Sequence, residues 1–222
     1  MAYTPDFEGI TKQTISLVKE TGSFLRNEYR NFSKEMVETK GLHDFVSYVD
    51  KESEKQLVAG LAKILPESGF IVEEGTETKK QERFNWIVDP LDGTTNFIHS
   101  LPPFAISVAL MENDKIVVGI VYEVILDECF YAWKESPAFL NDTEIHVSDA
   151  ATVSDSLIAT GFPYYDYKRI GPMMESLEYF MQNSHGIRRL GSAATDLAYV
   201  ACGRFEAFYE YSLSSWDVAA GA

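Results

Sequence analysis

The chain has 222 residues, 45% of them hydrophobic and 24% charged, an ordinary globular composition with enough apolar material for a sizeable core. Acids outnumber bases 34 to 19, a formal net charge of −15 that repels nucleic acid and anionic membranes. Fourteen Phe, twelve Tyr and three Trp argue against disorder, and no apolar run approaches the ~20 residues of a membrane helix.

The opening stretch, MAYTPDFEGITKQ, lacks the basic and apolar regions of a signal peptide. Phe7 to Tyr29 then repeats apolar residues at helical spacing, as at Phe7, Ile10, Leu17 and Phe24. A second helix is predicted from near Asp50, with Leu57, Leu61, Ile64 and Leu65 on one side, ended by Pro66 and Gly69. GFIVEE reads as a strand over Phe70–Val72 with Glu73 and Glu74 at its end. Four strands follow, Phe84–Val88, Phe104–Met111, Lys115–Tyr122 and Cys129–Trp133, with a hairpin turn at Asn113-Asp114. FLNDTEIHVSDA is expected to be a turn leading to the strand SLIATG. Beyond it come a helix from Gly171 to Asn183, a short strand GIRRL, a helix in GSAATDLAYVACG ended by Gly203, a strand EAFYEY and a helix beginning at WDVAAGA.

This order divides near Val147. Residues 1–146 form an expected N-terminal α+β lobe, and 147–222 an α/β lobe. Cys129 and Cys202 make no CxxC pair and are expected to be free thiols. His43, His99, His146 and His185 show no ligand spacing. These features together predict a soluble cytoplasmic protein.

The chemistry concentrates in WIVDPLDGTTNF, residues 86–97. An apolar strand delivers Asp89 to its end, Pro90 removes a ladder donor, and Gly93 permits close approach of backbone to a ligand. Asp92 can then turn back toward Asp89, with the Leu91 carbonyl pointing the same way. Three hard oxygens with positions left open suit Mg²⁺ and a phosphate oxygen, and the free N–H groups of GTTNF suit phosphate itself. Taken alone, DPLDG is as readily a plain turn with Asp capping the backbone. Glu73, Glu74, Asp50 and Asp217 stand at the ends of other elements, each alone readable as a solvated acid or helix cap. Together they read as a cation site, because clustered like charges are costly unless neutralised.

WIVDPLDGTTNF and WDVAAGA resemble the two signature stretches of the inositol monophosphatase family, and DFVSYVD, FIVEEG and RRLGSAATDLAYVACGRFEAFYE are similar to it in the same order. The resemblance spans essentially the whole chain. It implies a layered α/β/α/β/α sandwich of the inositol monophosphatase and fructose-1,6-bisphosphatase type. It also implies an Mg²⁺-dependent, Li⁺-sensitive phosphomonoesterase, usually a homodimer, that hydrolyses a small phosphate monoester with metal-activated water. By the same resemblance, Glu73, Asp89 and the Leu91 carbonyl hold a first metal, and Asp89, Asp92 and Asp217 a second. Asp50, Glu73 and Glu74 border a third. Glu73 and Thr94 serve the attacking water, with Gly93 and Thr95 in the same turn. Asp92, Gly93, Thr94, Gly191, Ser192, Ala193, Glu210 and Asp217 meet substrate. Lys40, in a KGLHD loop one residue shorter than the family pattern, matches a basic residue near the third metal. Arg188 and Arg189 are assigned either to the dimer interface, to substrate or to surface ion pairs. Inositol-1-phosphate is the expected substrate. Fructose-1,6-bisphosphate, histidinol phosphate and 3′-phosphoadenosine-5′-phosphate are alternatives, as is a non-catalytic regulatory binding protein on the same fold. Because the chain stops inside the second signature, at Ala222, the C-terminal lobe is expected to be truncated and Asp217 poorly supported.

Overall fold

A computed structural model describes residues 5–31, 37–39, 45–77, 79–164 and 166–222, with backbone alone for 37–39 and 45–47. Helix α1 (Phe7–Asn31) precedes a small antiparallel pair, β1 (Val37–Thr39) and β2 (Phe45–Ser47), and helix α2 (Tyr48–Ile64). Then comes the large sheet: β3 (Gly69–Val72), β4 (Phe84–Asp92), β5 (Ala105–Glu112), β6 (Lys115–Glu123), β7 (Glu128–Trp133), β8 (Ala138–Leu140) and β9 (Thr143–Ile145), in that spatial order. β3 and β4 are parallel and every later pair is antiparallel. The short helix α3 (Thr94–Ile98) separates β4 from β5. A second sheet has β10 (Leu157–Thr160) at its centre, parallel both to β11 (Gly186–Arg188) and to β12 (Ala207–Tyr209). Helix α4 (Ile170–Asn183) precedes β11, α5 (Ala193–Ala201) precedes β12, and α6 (Ser215–Val218) follows it.

Strand alternation shows how the layers stack. Trp86 and Val88 of β4, Ile106, Val108 and Leu110 of β5, and Val118, Ile120 and Tyr122 of β6 share one core with Val18, Leu25, Leu57 and Leu61 of α1 and α2. The residues between them point the other way. Ile87 and Ala109 pack against Ala219 beside α6, while Ala105 and Val121 pack against Ala194 and Ala198 of α5. Small residues keep this second face close: a side chain on Gly119 would lie 2.5 Å from the Ala220 carbonyl. Helix α5 also touches β12, and α4 touches β11. The order is therefore helices, large sheet, α5 and α6, small sheet, α4, a layered α/β/α/β/α sandwich. Covered on both faces, β4 is buried along its whole length.

Most elements lie within two residues of their expected positions. Asn113 and Asp114 adopt the left-handed conformation at φ 47° and 64°, as a tight hairpin turn requires. Two differences stand out. The segment expected to be only a turn after Trp133 contains the strands β8 and β9, joined by Asn141 and Asp142 at positive φ. At three residues each, Ala-Phe-Leu and Thr-Glu-Ile are too short to show an alternation that would announce them. β4 also continues past Val88 to Asp92, because Pro90 sits in a bulge: Asp89 pairs with Ser107 but Asp92 with Ala105, so two residues oppose one. Cys129 and Cys202 are free, and burial pushes the Cys129 thiol up to about 12.

Candidate active site

The bulge in β4 bends the strand as it leaves the core, so that Asp89 and Asp92 both reach one cleft of about 470 Å³. Asp89 Oδ1 accepts the Leu91 amide at 2.9 Å, and the Thr94 hydroxyl donates to the Leu91 carbonyl at 3.0 Å. The stretch is thus a capped turn in its local bonds and a cleft wall in its position. Gly93, at φ 98°, turns the chain into α3. The Asn96 amide then ties α3 to the far wall, donating to the carbonyls of Pro103 at 2.7 Å and Leu190 at 2.8 Å.

Glu73 and Glu74 line the same cleft from the end of β3, which runs parallel to β4 and so delivers its end beside Asp89. Asp217 reaches the cleft from the first turn of α6, its Oδ2 accepting the Ser214 amide at 2.6 Å in a capping box. Trp216 anchors that turn, its carbonyl accepting the Ser107 hydroxyl at 2.9 Å. Gly191, Ala193 and Glu210 complete the opposite wall, with Arg189, Phe162, Tyr164 and Asp166.

Ser192 stands apart from its neighbours. It is buried, and its hydroxyl donates to Asp92 Oδ2 at 2.6 Å while accepting the Thr195 amide as the cap of α5. Ala194 adds a backbone N–H to the same Asp92 oxygen at 2.7 Å. Where a substrate contact was expected, the structure places a grip on Asp92. Ser192→Ala removes a cap and a charge-assisted hydrogen bond together. It is expected to cost about 1–2 kcal/mol, a fall in Tm of roughly 2–8 °C for a chain of this size. Thermal denaturation measures it, and an unchanged Tm would mean that the grip contributes nothing.

The electrostatics are those of anions crowded without cations. Burial pushes Glu73 up to about 8, with Asp50, Asp217 and Glu74 adding repulsion and a hydrogen bond to Asp89 opposing it. Asp89 is held well above the usual carboxylate range by burial and then by Glu73, Asp92 and Asp217. Asp92 rises less, to about 6, because Ser192 and Ala194 offset its burial. Asp217 is raised by burial against the Ser214 amide. Glu210 is pushed up to about 7 by burial, with Arg189 opposing.

Asp50 is buried on α2 and repels Glu73, but it does not line the cleft. Arg188 is exposed, whereas Arg189 reaches the cleft and donates to the Tyr164 hydroxyl at 2.9 Å. His99, His146 and His185 line no part of it. Lys40, His43 and the rest of KGLHD lie outside the described residues. Sequence patterns do not reveal Tyr164, Phe162 and Asp166, which sit in a loop without periodicity. Nor do they reveal the buried Asp196 on α5, which burial and then Asp92 push up to about 8.

The inositol monophosphatase family profile matches residues 6–222. The chain belongs to the inositol monophosphatase family. It is 42% identical to the inositol-1-monophosphatase of Rhizobium meliloti over 93% of this chain and 78% of that protein. It is 38% identical to a putative Nus factor SuhB of Neisseria meningitidis over 92% of this chain and 78% of that one. The crystal structure of the extragenic suppressor protein SuhB of Bartonella henselae superposes with a TM-score of 0.91 at 41% identity, covering 96% of this chain and 82% of the other. Like other members of the inositol monophosphatase family, the protein is a phosphoric monoester hydrolase acting on a small phosphate monoester. Among the described residues, no helix is long and apolar enough to cross a membrane.

Proposed function

We propose that this phosphatase hydrolyses inositol-1-phosphate to inositol and phosphate with Mg²⁺ as cofactor. The observation that carries the reading is the crowding of Glu73, Asp89, Asp92 and Asp217 on one cleft, each raised by burial. That donor set fits a hard divalent cation: it is all oxygen, acceptor-only and self-repelling. Arg189 is the one basic side chain among the described cleft residues. Among the described residues no group of three or more His, Cys, Asp or Glu side chains has the geometry of a preformed metal site, so the reading rests on the shared cleft and the crowding of its acids.

Glu73, Asp89, Asp92, Asp217 and the Leu91 carbonyl would hold two ions, with Asp50 and Glu74 near a third. Bound there, Mg²⁺ supplies positive charge that activates water and offsets charge on the phosphate and its leaving oxygen. Glu73 takes a proton from the attacking water as the new P–O bond forms. The ester P–O bond breaks, its oxygen takes a proton from solvent to leave as the alcohol, and Glu73 returns its own proton to solvent. Thr94 orients the water, and the turn at Gly93 and Thr95 faces the phosphate. Gly191, Ala193 and Glu210 face the polyol ring, and Ser192 serves it through Asp92. No covalent nucleophile is required. The two-lobe division at 146/147, Li⁺ sensitivity, a homodimer and a cytoplasmic location belong to the same proposal.

The decisive assay is phosphate release from inositol-1-phosphate, fructose-1,6-bisphosphate, histidinol phosphate and 3′-phosphoadenosine-5′-phosphate, with Mg²⁺ and with excess chelator. Inositol-1-phosphate is expected to have the highest kcat/KM, and chelator to abolish release. Equal turnover in chelator would overturn the metal assignment, and preference for another ester would overturn the substrate. The Neisseria relative's name gives weight to a regulatory reading. Release from none of the four would favour it.

A further inference from the structure

Glu54 is a carboxylate outside the cleft that the proposed mechanism does not use. It lies on α2, one turn beyond Asp50, and is completely buried. Both oxygens are taken by backbone of the loop that leaves β3. Oε2 accepts the Glu74 amide at 2.7 Å, and Oε1 accepts the Thr76 amide at 2.8 Å. Between those two amides Gly75 adopts the left-handed conformation at φ 69°. Amides converging around a left-handed residue form a concave anion site in the backbone, and here a side chain from another element fills it. A charged acceptor makes each of these bonds stronger than a neutral one. The loop held this way begins at Glu73 and Glu74, both of which line the cleft.

We propose that Glu54 is a positioning residue: by filling the backbone anion site around Gly75, it orients Glu73 and Glu74 toward the cleft and thereby determines the affinity for the cation. The proposal rests on the metal-binding reading of the cleft. Glu54 touches neither the ion nor substrate. Without its bonds the loop is free to turn, and Glu73 must be ordered each time a cation binds, an entropic cost that appears as weaker binding.

Two variants approach the same contact from opposite sides. Glu54→Gln replaces one acceptor oxygen with a donor that faces an amide. Gly75→Ala strains the left-handed turn, and nothing lies within 4 Å of the added methyl, so packing is spared. Mg²⁺ binding to the free protein is measured by titration calorimetry, alongside the Mg²⁺ dependence of phosphate release. Each variant is expected to weaken Mg²⁺ binding about 10-fold or more, the scale seen when a partner of a metal ligand is lost. At saturating Mg²⁺, kcat is expected to recover to within a few-fold of the parent. The double variant is expected to bind about as weakly as the weaker single one, since both break one contact. If Glu54→Gln does not fold, Gly75→Ala alone decides. Parental Mg²⁺ affinity in a folded variant, or fully additive losses in the double, would overturn the proposal. A parent protein that binds no Mg²⁺ would instead overturn the reading of the cleft.

Discussion

Asp89→Asn is expected to lower turnover by about 10³-fold or more, the scale on which a central electrostatic element is lost, without unfolding the protein. Asp89 is only 2% exposed, and Glu73, Asp92 and Asp217 all repel its charge. In the proposed assignment it serves both metal sites, so one substitution weakens two ions. The fold should survive because the replacement is isosteric. Asn keeps an oxygen to accept the Leu91 amide, and its NH2 group can replace the hydrogen bond that already joins Asp89 to Glu73. The change also removes one charge from a buried, mutually repelling group. The metal-free variant is therefore expected to melt at or above the temperature of the metal-free parent. kcat at saturating Mg²⁺ and Tm in chelator test the two halves. Near-parental kcat would reduce the DPLDG stretch to a turn, and a large fall in Tm would make Asp89 a structural residue.

The contrast between Asp89 and Asp92 marks how far the sequence could be read. Both were legible as cleft acids only when the acids at the ends of other elements and the resemblance of the whole stretch to a family signature were weighed against a plain turn. Their different surroundings were not legible. Asp92 is gripped by Ser192 and Ala194, about 100 residues along the chain. No local pattern states which oxygen a distant hydroxyl will find. Glu54 was hidden for the same reason: on α2 it reads as one more helix acid, and only the arrival of the β3 loop gives it partners. Elements with strong periodicity, such as α1, α2 and the central strands, were placed correctly because burial on one or both faces imposes a pattern. β8 and β9 escaped notice because strands of three half-exposed residues carry almost none.

Metal-free protein is expected to lose stability as pH rises from about 6 to 8, opposite to the usual behaviour of proteins stabilised by ionised, well-paired carboxylates. Glu73 is pushed up to about 8, Asp196 to about 8, Glu210 to about 7 and Asp92 to about 6, and Asp89 is raised well above its ordinary range. In the unfolded chain these groups ionise near their ordinary values of roughly 4. Between about pH 4 and 8 the folded state therefore holds more protons than the unfolded state, so raising pH favours unfolding. The stabilising difference is complete below pH 4 and is lost as pH passes through the folded values. Exposed carboxylates are already ionised in both states by pH 6, so they contribute little between pH 6 and 8. A net loss of about 2 kcal/mol across it would lower Tm by roughly 4–8 °C for a chain of this length. Mg²⁺ competes with the protons and should stabilise more at pH 8 than at pH 6. Differential scanning calorimetry in chelator, at steps between pH 5.5 and 8.5 and repeated with Mg²⁺, measures both effects. Glu73→Gln should flatten the chelator profile by removing one of the groups with the highest values. A metal-free Tm that is level or rises from pH 6 to 8 would show that the cleft acids are not crowded in solution, and the case for a cation site built on that crowding would fall with it.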